Sequence, residues 1–171
     1  MKMINHHLEQ IAQDVFKAWF VDFEPWGGSK PDDWRDGHLC DIIELFDSER
    51  IPLSSNQREK MKKIFPYYGA ATLIDYVDDY LFDGVYLLLG EDGTVVDDFG
   101  FPIIQYVWGK FWVNNHAHII RGRNGFTVES LYILLKQTCV NSIVTGAVQL
   151  KINQTNLNSL EVVIPSTCAI D

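Results

Sequence analysis

Two short segments of this chain carry the polar side chains best suited to contact another molecule. In residues 145–154, TGAVQLKINQ, hydroxyl, amide and cationic groups surround a single glycine, and residues 114–118 read NNHAH. Such groups hydrogen-bond the base edges or the phosphates of duplex DNA, but they equally satisfy the backbone of a structural loop. The candidates for DNA contact in these segments are Asn114, Asn115, His116, His118, Thr145, Gln149, Lys151, Asn153 and Gln154.

His116 and His118 also raise the question of a metal site. Two histidines separated by one residue on a strand point to the same side, as two metal ligands would. A structural zinc site normally has four ligands, however, and no cysteine pair accompanies these histidines. Cys40, Cys139 and Cys168 are far apart and are predicted to be reduced thiols. Hydrogen-bonded architecture or DNA contact is therefore favoured over metal binding, and no cofactor is expected.

The distribution of charge decides whether the chain could approach phosphate groups. The formal net charge is −9, and residues 64–109 contain eight Asp or Glu but no Lys or Arg. Because phosphate binding depends on cations, DNA binding requires that folding gather the flanking cations on one basic face, with the acidic segment turned away from DNA. Ordinary solvated surface is the alternative. The flanking cations are Arg58, Lys60, Lys62, Lys63, Lys110, Arg121 and Arg123, of which Lys110, Arg121 and Arg123 are the main phosphate candidates.

No motif for catalysis is recognisable in the chain. It lacks a glycine-rich phosphate loop, a nucleophile elbow and a zinc-protease helix motif. A metal-dependent nuclease site in the acidic segment is the enzymatic alternative, and it is disfavoured because no suitably placed lysine follows in a known motif. Tyr68, beside Gly69, could contact a sugar or base, although an aromatic residue in a β-rich domain is more often part of the core.

The amino-terminal segment is predicted to be a helix over residues 3–23. Apolar residues recur there at alternating spacings of four and three, which indicates a narrow seam against one other helix. An amphipathic helix lying on its own domain fits the same periodicity. The helix ends at a linker, residues 25–31, that contains two prolines and a glycine pair. The seam consists of Ile4, Leu8, Ile11, Val15 and Ala18.

The rest of the chain predicts an α+β fold, a β-rich mixed α/β domain. Short aromatic and β-branched runs between Gly, Pro and Asp indicate strands, and the run 85–89 followed by 90–93 and 94–96 predicts a hairpin. Further predicted elements are strands at 101–107, 111–113 and 162–164, loops at 49–63 and 141–154, and a helix of about ten residues capped by Thr127. The domain division is residues 1–25 for the helix and 31–171 for the β-rich body. No segment resembles a signal peptide or a membrane span, so a cytoplasmic protein without a membrane partner is expected.

Several motifs, in order along the chain, resemble the DNA-specificity subunit of type I restriction-modification systems. FKAWFVDFEPW (residues 16–26) resembles the end of that family's long conserved helix and the entry into a target-recognition domain, and PDDWRDGHLCDI (31–42) resembles the opening of such a domain. FPYYGAATLIDYVDDYLFDG (65–84), NNHAHII (114–120) and TGAVQLKINQTNLNSLEVVIP (145–165) resemble one subgroup of these domains.

The resemblance implies sequence recognition without chemistry. A recognition domain reads one half of a split duplex DNA target, while paired helices act as a spacer and a platform for methyltransferase subunits. Catalysis is then expected in separate modification and restriction subunits, and the Asn-Pro-Pro-aromatic motif of adenine methyltransferases is absent from the chain. Such subunits usually carry two recognition domains, so a second domain is implied, in the same subunit or in a second copy. A protein that only assembles through its first helix, without binding DNA, is the non-enzymatic alternative.

Overall fold

The amino-terminal helix is joined to the body of the protein by packed aromatic rings. A computed structural model describes the backbone of residues 2–166 and the side chains of residues 7–166. Helix α1 (Lys2–Phe20) ends at Phe20 rather than at residue 23, and a 3-10 turn follows at Glu24–Trp26. Phe20 stacks on the buried Trp34 with ring centroids 5.3 Å apart, and Trp26 packs against the same indole at 4.8 Å. These contacts hold the end of α1 against the body.

Six strands form the main sheet, in the order β2-β7-β5-β6-β3-β4. All neighbouring strands are antiparallel except β3 and β6, which are parallel. Side chains of the central strand β5 alternate between two apolar clusters, because the sheet is covered on both faces there. The strands are β2 (Ile43–Leu45), β3 (Phe65–Tyr68), β4 (Leu73–Val77), β5 (Phe82–Gly90), β6 (Ile104–Val113) and β7 (Ala117–Gly122).

The longest strand, β6, is sharply bent. Nε2 of Gln105 donates to the carbonyl of Gly69, the residue after β3, at 3.0 Å, while Val113 pairs with the last residue of β3. A straight strand would separate Gln105 and Val113 by about 26 Å, so both reach the same end of β3 only because β6 folds over. The bend lies at Gly109, φ 76°, opposite Gly84, φ 145°. Glycine is required at this corner because other residues disfavour such angles.

Three further helices and a second small sheet complete the body. Strand β1 (Arg35–His38) pairs antiparallel with β8 (Glu161–Ile164). Helix α3 (Val128–Lys136) packs on the main sheet, while α2 (Ser55–Glu59) and α4 (Gln154–Asn158) are single turns. Within residues 2–166, no helix is both long and apolar enough to cross a lipid bilayer.

The fold class and several elements match the sequence predictions. The protein is a mixed α/β domain with a β-rich body and an amino-terminal helix, as predicted. Helix α3 begins directly after Thr127, whose Oγ1 accepts a hydrogen bond from the Ser130 amide at 3.2 Å, and β8 occupies the predicted closing strand. These elements were predictable because a capping residue, a periodic apolar face or a proline marks each one locally.

The predicted hairpin between residues 85–89 and 94–96 is wrong. Strand β5 pairs with β6 and β7, and the Val95 carbonyl instead accepts a hydrogen bond from the Ile103 amide at 2.9 Å. The physical reason is that β6 and β7 occupy both hydrogen-bonding edges of β5, so residues 94–96 cannot pair there and belong to the connection between β5 and β6.

Two other predicted elements also differ from the structure. The predicted strands 101–107 and 111–113 are parts of the single bent strand β6, which continues through Gly109. The predicted loop 49–63 contains α2, capped by Ser54 through a hydrogen bond of 3.3 Å from the Gln57 amide to Oγ.

Candidate nucleic-acid interface

The segment 144–152 forms a loop with a closed neck and an exposed tip. Thr145 and Lys151 exchange two backbone hydrogen bonds, each 2.8 Å long, across the neck. Gly146, φ 90°, begins the chain reversal, and a Cβ atom there would lie 2.1 Å from the Gln149 carbonyl oxygen. Only glycine fits this position without moving the backbone. The loop therefore presents its exposed side chains from a defined backbone conformation.

A turn between β6 and β7 lies beside the neck of this loop. Oδ1 of Asn114 accepts the His116 amide at 2.9 Å, which shapes the turn and leaves Asn115 and His116 exposed. Asp92, after β5, forms a backbone bridge with Lys151, and its carboxylate lies 2.7 Å from Nδ1 of His116. The loop and the turn thus form one surface. We call this surface the polar end and define it as residues 91–93, 114–116 and 144–152.

Charged side chains beneath the polar end form a buried network. His118 is 1% exposed, and its Nδ1 lies 2.6 Å from Asp47 Oδ2 while its Nε2 lies 2.8 Å from the Ile152 carbonyl oxygen. Arg50 Nε donates to the Asp47 carbonyl at 2.9 Å, and its Nη1 contacts Glu91 Oε2 at 2.7 Å. The network therefore joins the 3-10 turn after β2 to the base of the 144–152 loop.

The carboxylate of Asp47 is the anionic centre of this network. Burial raises the pKa of this carboxyl, but the hydrogen bond and positive charge of His118, the Ile119 amide and the charge of Arg50 together outweigh burial and hold the pKa below its ordinary value. The Ile119 amide donates to Oδ1 at 2.9 Å. Asp47 is consequently ionised at neutral pH.

The same residues contain three potential metal-ligand atoms. Asp47, Glu91 and His118 bring one such atom each within 4.8 Å of the others. Arg50 lies among them, 2.7 Å from Glu91 and 3.6 Å from Asp47, and supplies the positive charge that a cation would supply. His116 is turned toward the carboxylate of Asp92, away from this group. The geometry is that of an ion-pair network.

Five of the sequence-predicted contact residues are exposed at the polar end. Their hydroxyl, amide, imidazole and ammonium groups lie on the loop and the adjoining turn, which are 30 residues apart in sequence but adjacent in space. Lys151 lies beside Glu91, with Nζ 3.3 Å from Oε1. The five residues are Asn115, His116, Thr145, Gln149 and Lys151.

Four other candidates for DNA contact have polar groups that bond within the domain or rings that pack in its core. Asn114 and His118 are buried, with exposures of 8% and 1%, and their polar atoms are engaged inside the protein. Asn153 caps α4, with Oδ1 accepting the Asn156 amide at 2.8 Å. Tyr68 packs against the core, and burial raises the pKa of its hydroxyl. Their polar side chains satisfy the fold itself.

Two of the predicted phosphate contacts lie opposite acidic residues in the main sheet. Lys110 pairs across the sheet with Asp83, and Arg121 pairs with Glu44, so each cation has a carboxylate-bearing neighbour. Arg121 lies five positions along β7 from His116, a separation of about 16 Å in an extended strand. Lys110 and Arg121 therefore lie outside the polar end, each opposite an acidic residue in the sheet.

Arg123 and Gln154 are not among the residues that form the polar end. The Arg123 guanidinium donates to the Cys40 carbonyl beyond the end of β7. Gln154 is exposed in the single turn α4. Conversely, Glu91 and Asp92 belong to the polar end, so the acidic segment does not turn away from this surface as a unit.

Val148 and Arg50 are two residues of this region that the sequence reading missed. Val148 is fully exposed at the loop tip, with a relative exposure of 102%, and no signal in the sequence separates it from the other apolar residues of the loop, such as Leu150 and Ile152. Arg50 donates to the Ala117 carbonyl at 2.8 Å, although the two residues are 67 positions apart. No local pattern in the sequence indicates such a long-range contact.

Helix α1 has one face on the body and one face exposed. Tyr132 of α3 donates to Glu9 Oε1 at 2.6 Å, and Phe16 packs against the main core. The predicted seam lies on another face, where Leu8 and Ile11 are 60% and 59% exposed. Val15 is also exposed, Ala18 is half-buried, and the side chain of Ile4 lies outside the described residues. Leu8, Ile11 and Val15 therefore do not pack on the body of the protein.

The fold is that of the specificity subunits of type I restriction-modification systems. The S subunit of the M. genitalium system superposes with a TM-score of 0.61 at 11% identity, covering 80% of this chain and 35% of that chain. The HsdS subunit from Thermoanaerobacter tengcongensis gives a TM-score of 0.53 at 12% identity, covering 99% of this chain and 43% of that chain. At such low identity, these likenesses establish the fold alone.

The sequence itself establishes the family. Residues 31–170 match the model of the type I restriction modification DNA specificity domain, and the chain belongs to that family. A putative type I restriction enzyme specificity subunit from Haemophilus influenzae is 30% identical over 128 residues, covering 74% of this chain. The EcoprrI specificity subunit of Escherichia coli is 23% identical over 110 residues, covering 64% of this chain. This chain spans 32% and 26% of the lengths of those relatives. The resemblance inferred from the motifs is confirmed.

Proposed function

We propose that this chain is a non-catalytic target-recognition domain that reads one half of a split duplex DNA target through its polar end. The observation that carries the proposal is the 144–152 loop, whose neck is closed by paired backbone hydrogen bonds while its tip is exposed. Direct readout of bases needs hydrogen-bonding groups held at defined positions, and a loop with a fixed backbone provides them.

Gln149 and Val148 are the proposed base-reading residues. A glutamine amide can bond to both N6 and N7 of adenine in the major groove, and an apolar side chain can contact the thymine methyl group. The two residues are adjacent at the exposed tip. Together they would favour an A·T pair at the position that the tip reaches.

The phosphate contacts in this proposal are few and scattered. Lys110, Arg121 and Arg123 are exposed cations outside the polar end, and Lys151 within it is next to Glu91. Each neutralised phosphate makes the slope of log affinity against log salt concentration more negative by about 0.9. We therefore expect a shallow salt dependence for one such domain, with a second recognition domain, in the same subunit or a second copy, adding the remaining affinity.

The partners of the proposed domain follow from helix α1. Its exposed apolar seam is suited to a second helix, so we propose that residues 1–25 belong to the helical spacer and that the recognition domain begins at residue 31. Such a spacer would carry the modification subunits, and the restriction subunit would join them on cytoplasmic DNA. Methyl transfer and cleavage would be performed by those other chains.

Selection from a randomised duplex pool tests the proposal. The full-length specificity protein, assembled with its methyltransferase subunits, is incubated with the pool, and the recovered consensus duplex is used for titrations. Gln149→Ala is expected to lower affinity for the consensus by about 1–3 kcal/mol and to relax selection at one base pair. Affinity for a scrambled duplex is expected to remain the same.

Gln10→Ala is the matched control, because it truncates an exposed amide of equal size on helix α1. It should leave both affinities unchanged. Recovery of no consensus from the wild-type complex would contradict sequence recognition. Retained assembly without any DNA binding would favour the assembly alternative, and magnesium-dependent nicking of plasmid by this chain alone would favour the nuclease.

A further inference from the structure

A cavity lined by aromatic and acidic side chains lies between helix α1, strand β6 and helix α3. Its volume is about 350 Å³, and its lining consists of Glu9, Ala12, Tyr106, Glu129, Tyr132 and Ile133. We call these six residues the cage. We propose that the cage binds the guanidinium group of an arginine side chain from a partner polypeptide. Such an assembly contact would be independent of base readout by the polar end.

The two tyrosine rings of the cage are held by hydrogen bonds to its glutamates. Tyr106 Oη donates to Glu129 Oε1 at 2.6 Å, and Tyr132 Oη donates to Glu9 Oε1, also at 2.6 Å. The centroids of the two rings lie 6.2 Å apart in an edge-to-face arrangement. A carboxylate has acceptor positions on both oxygens. Each glutamate can therefore orient a tyrosine and still accept hydrogen bonds from a ligand.

The carboxylates make the cage suitable for a cation. The hydrogen bond from Tyr106 holds the pKa of Glu129 below its ordinary value, so this carboxylate is ionised at neutral pH. Burial raises the pKa of Tyr132, so its hydroxyl keeps its proton and remains a donor to Glu9. Among the side chains of residues 7–166, no Lys or Arg forms an ion pair with either glutamate. A phosphate group would be repelled here and a cation attracted.

The aromatic rings add to this attraction and favour a guanidinium. A cation close to a tyrosine or tryptophan ring is attracted by the quadrupole of the ring. The protein's own Lys136 makes such a contact, with Nζ 5.7 Å from the centroid of the Tyr132 ring. A guanidinium is planar, stacks on aromatic faces and carries several N–H donors in a fixed fork, whereas an ammonium is a compact and strongly hydrated charge. The cage, with carboxylates on two helices, therefore suits arginine better than lysine.

Exposed apolar side chains beside the cage favour a polypeptide over a small free molecule. Trp108 is 71% exposed, and its ring centroid lies 6.2 Å from that of Tyr106. On α1, Leu8 and Ile11 are exposed and adjoin cage residues along the helix. A free cation of the size of arginine would leave these side chains in water. A partner protein would cover them and would supply the pairing of arginine with aromatic rings on which interfaces commonly depend.

A contact that only stabilises the fold would behave differently. The two tyrosine–glutamate hydrogen bonds also join β6 to α3 and α3 to α1. If that were their whole function, Glu129→Gln would change the free energy of unfolding, but no guanidinium compound would bind selectively. Selective binding of a guanidinium over an uncharged group of the same shape therefore separates the two roles.

Titration with N-acetyl-arginine amide tests the cage in the full-length specificity protein. Binding is followed by the NMR chemical shifts of the Ala12 and Ile133 amides, and N-acetyl-citrulline amide is the uncharged ligand of nearly the same shape. The arginine compound is expected to shift both signals saturably and the citrulline compound to shift neither. N-acetyl-lysine amide should bind about tenfold more weakly than the arginine compound. Absence of binding, or equal binding of any two of these ligands, would overturn the inference.

Two variants assign the binding to the cage. Glu129→Gln keeps the shape of the side chain and removes its charge, so the Kd for the arginine compound is expected to rise about tenfold. Tyr106→Phe keeps the ring but removes the hydroxyl that holds Glu129, and it should raise the Kd by a smaller factor. Glu59→Gln is the matched control, because it neutralises an exposed carboxylate on α2 and should leave the Kd unchanged. A wild-type Kd in both cage variants would place the ligand elsewhere and overturn the inference.

The source of the guanidinium is tested in the complete assembly with the modification and restriction subunits. Glu129→Gln is expected to weaken assembly about tenfold, while Glu59→Gln assembles like the wild type. An excess of the arginine compound should weaken wild-type assembly, and the citrulline compound should not. Unchanged assembly in Glu129→Gln would overturn binding of a partner's arginine, even if the free compound binds. The consensus recovered from the duplex pool at saturating subunit concentrations should be the same for Glu129→Gln and the wild type, so failure of DNA readout is detected separately.

Discussion

The two ends of strand β7 differ in the burial of their charged side chains. At one end, His118 is buried and bonded on both sides, and its partner Asp47 is also bound by the Ile119 amide. At the other end, Arg121 is exposed, with its guanidinium 5.2 Å from the centre of the Tyr86 ring. The first arrangement joins a buried side chain to the base of a loop, whereas the second leaves a cation at the surface. Under the proposed function, the first position would serve discrimination between duplexes and the second would serve affinity for any duplex.

The largest expected effect tests the buried end directly. Asp47→Ala leaves His118 and Arg50 without their shared carboxylate in a poorly solvated site, so we expect the free energy of unfolding to fall by about 3 kcal/mol. Urea denaturation followed by circular dichroism measures it. Asp36→Ala is the control, since that carboxylate is 82% exposed although it pairs with Lys30 at 2.7 Å, and it should leave stability unchanged. Equal decreases in the free energy of unfolding for Asp47→Ala and Asp36→Ala would show that the buried carboxylate is no more important to stability than the exposed one.

A smaller effect is expected from the loop backbone at the same end. Gly146→Ala combines a left-handed residue with a Cβ atom placed 2.1 Å from a carbonyl oxygen, so the loop must change shape. We expect about a tenfold loss of affinity for the consensus duplex, or about 1.4 kcal/mol, and none for a scrambled duplex. Gly93 also has a positive φ, +85°, but an added Cβ atom there would have no neighbour within 4 Å. Gly93→Ala should therefore lower the free energy of unfolding by only about 1 kcal/mol. Wild-type discrimination in Gly146→Ala would argue against a shape-dependent loop.

The exposed end of β7 should behave as a source of uniform affinity. Arg121→Gln and Arg123→Gln are each expected to weaken binding by about 0.5–1 kcal/mol for all duplexes and to lower the salt slope by about 0.9. Titrations at several salt concentrations measure both quantities, and Lys17→Gln, on helix α1, is the control. A change in base preference in either variant would assign specificity to this end as well.

The smallest expected effect is an acid-dependent one. The folded-state pKa of Asp47 is below its ordinary value of 3.8, so the ionised carboxylate stabilises the fold above that value. This contribution is lost as the pH falls through the lower folded-state pKa. The difference in free energy of unfolding between the wild type and Asp47→Asn should therefore be constant above about pH 5 and shrink below about pH 4. A difference that persists unchanged into acid would mean that packing, rather than charge, accounts for it.

The sequence predicted features that are encoded by neighbouring residues. Thr127 and the apolar face after it predicted α3, and the small polar groups at 141–154 predicted a loop there. Interactions between distant segments were not predictable in this way. The turn residues at 90–93 resemble a hairpin, but β5 pairs with β6 and β7, and no local pattern in the sequence indicates those partners.

In the candidate site, too, local residue types were predictive and contacts between distant segments were not. The residue types at Thr145, Gln149 and Lys151 predicted a polar loop that could contact another molecule, and the structure leaves these three residues exposed. Single-sequence reasoning could not distinguish the exposed His116 from the buried His118, since that depends on Asp47 approaching from 71 positions away. Nor could it foresee that cations near one another in sequence, such as Lys110 and Arg121, would acquire different carboxylate neighbours across the sheet.

The glycine corner of β6 also provides an optical probe. Trp108, the residue before the bend, is 71% exposed, whereas Trp112 and Trp34 are 8% and 5% exposed. An indole in water emits at longer wavelength than a buried one and is readily quenched by acrylamide. Trp19 and Trp26, at the end of α1, are 47% and 37% exposed, so the quenching that disappears in Trp108→Phe is the part that reports on this corner. Loss of that part on mixing with another molecule would show that the corner has become covered.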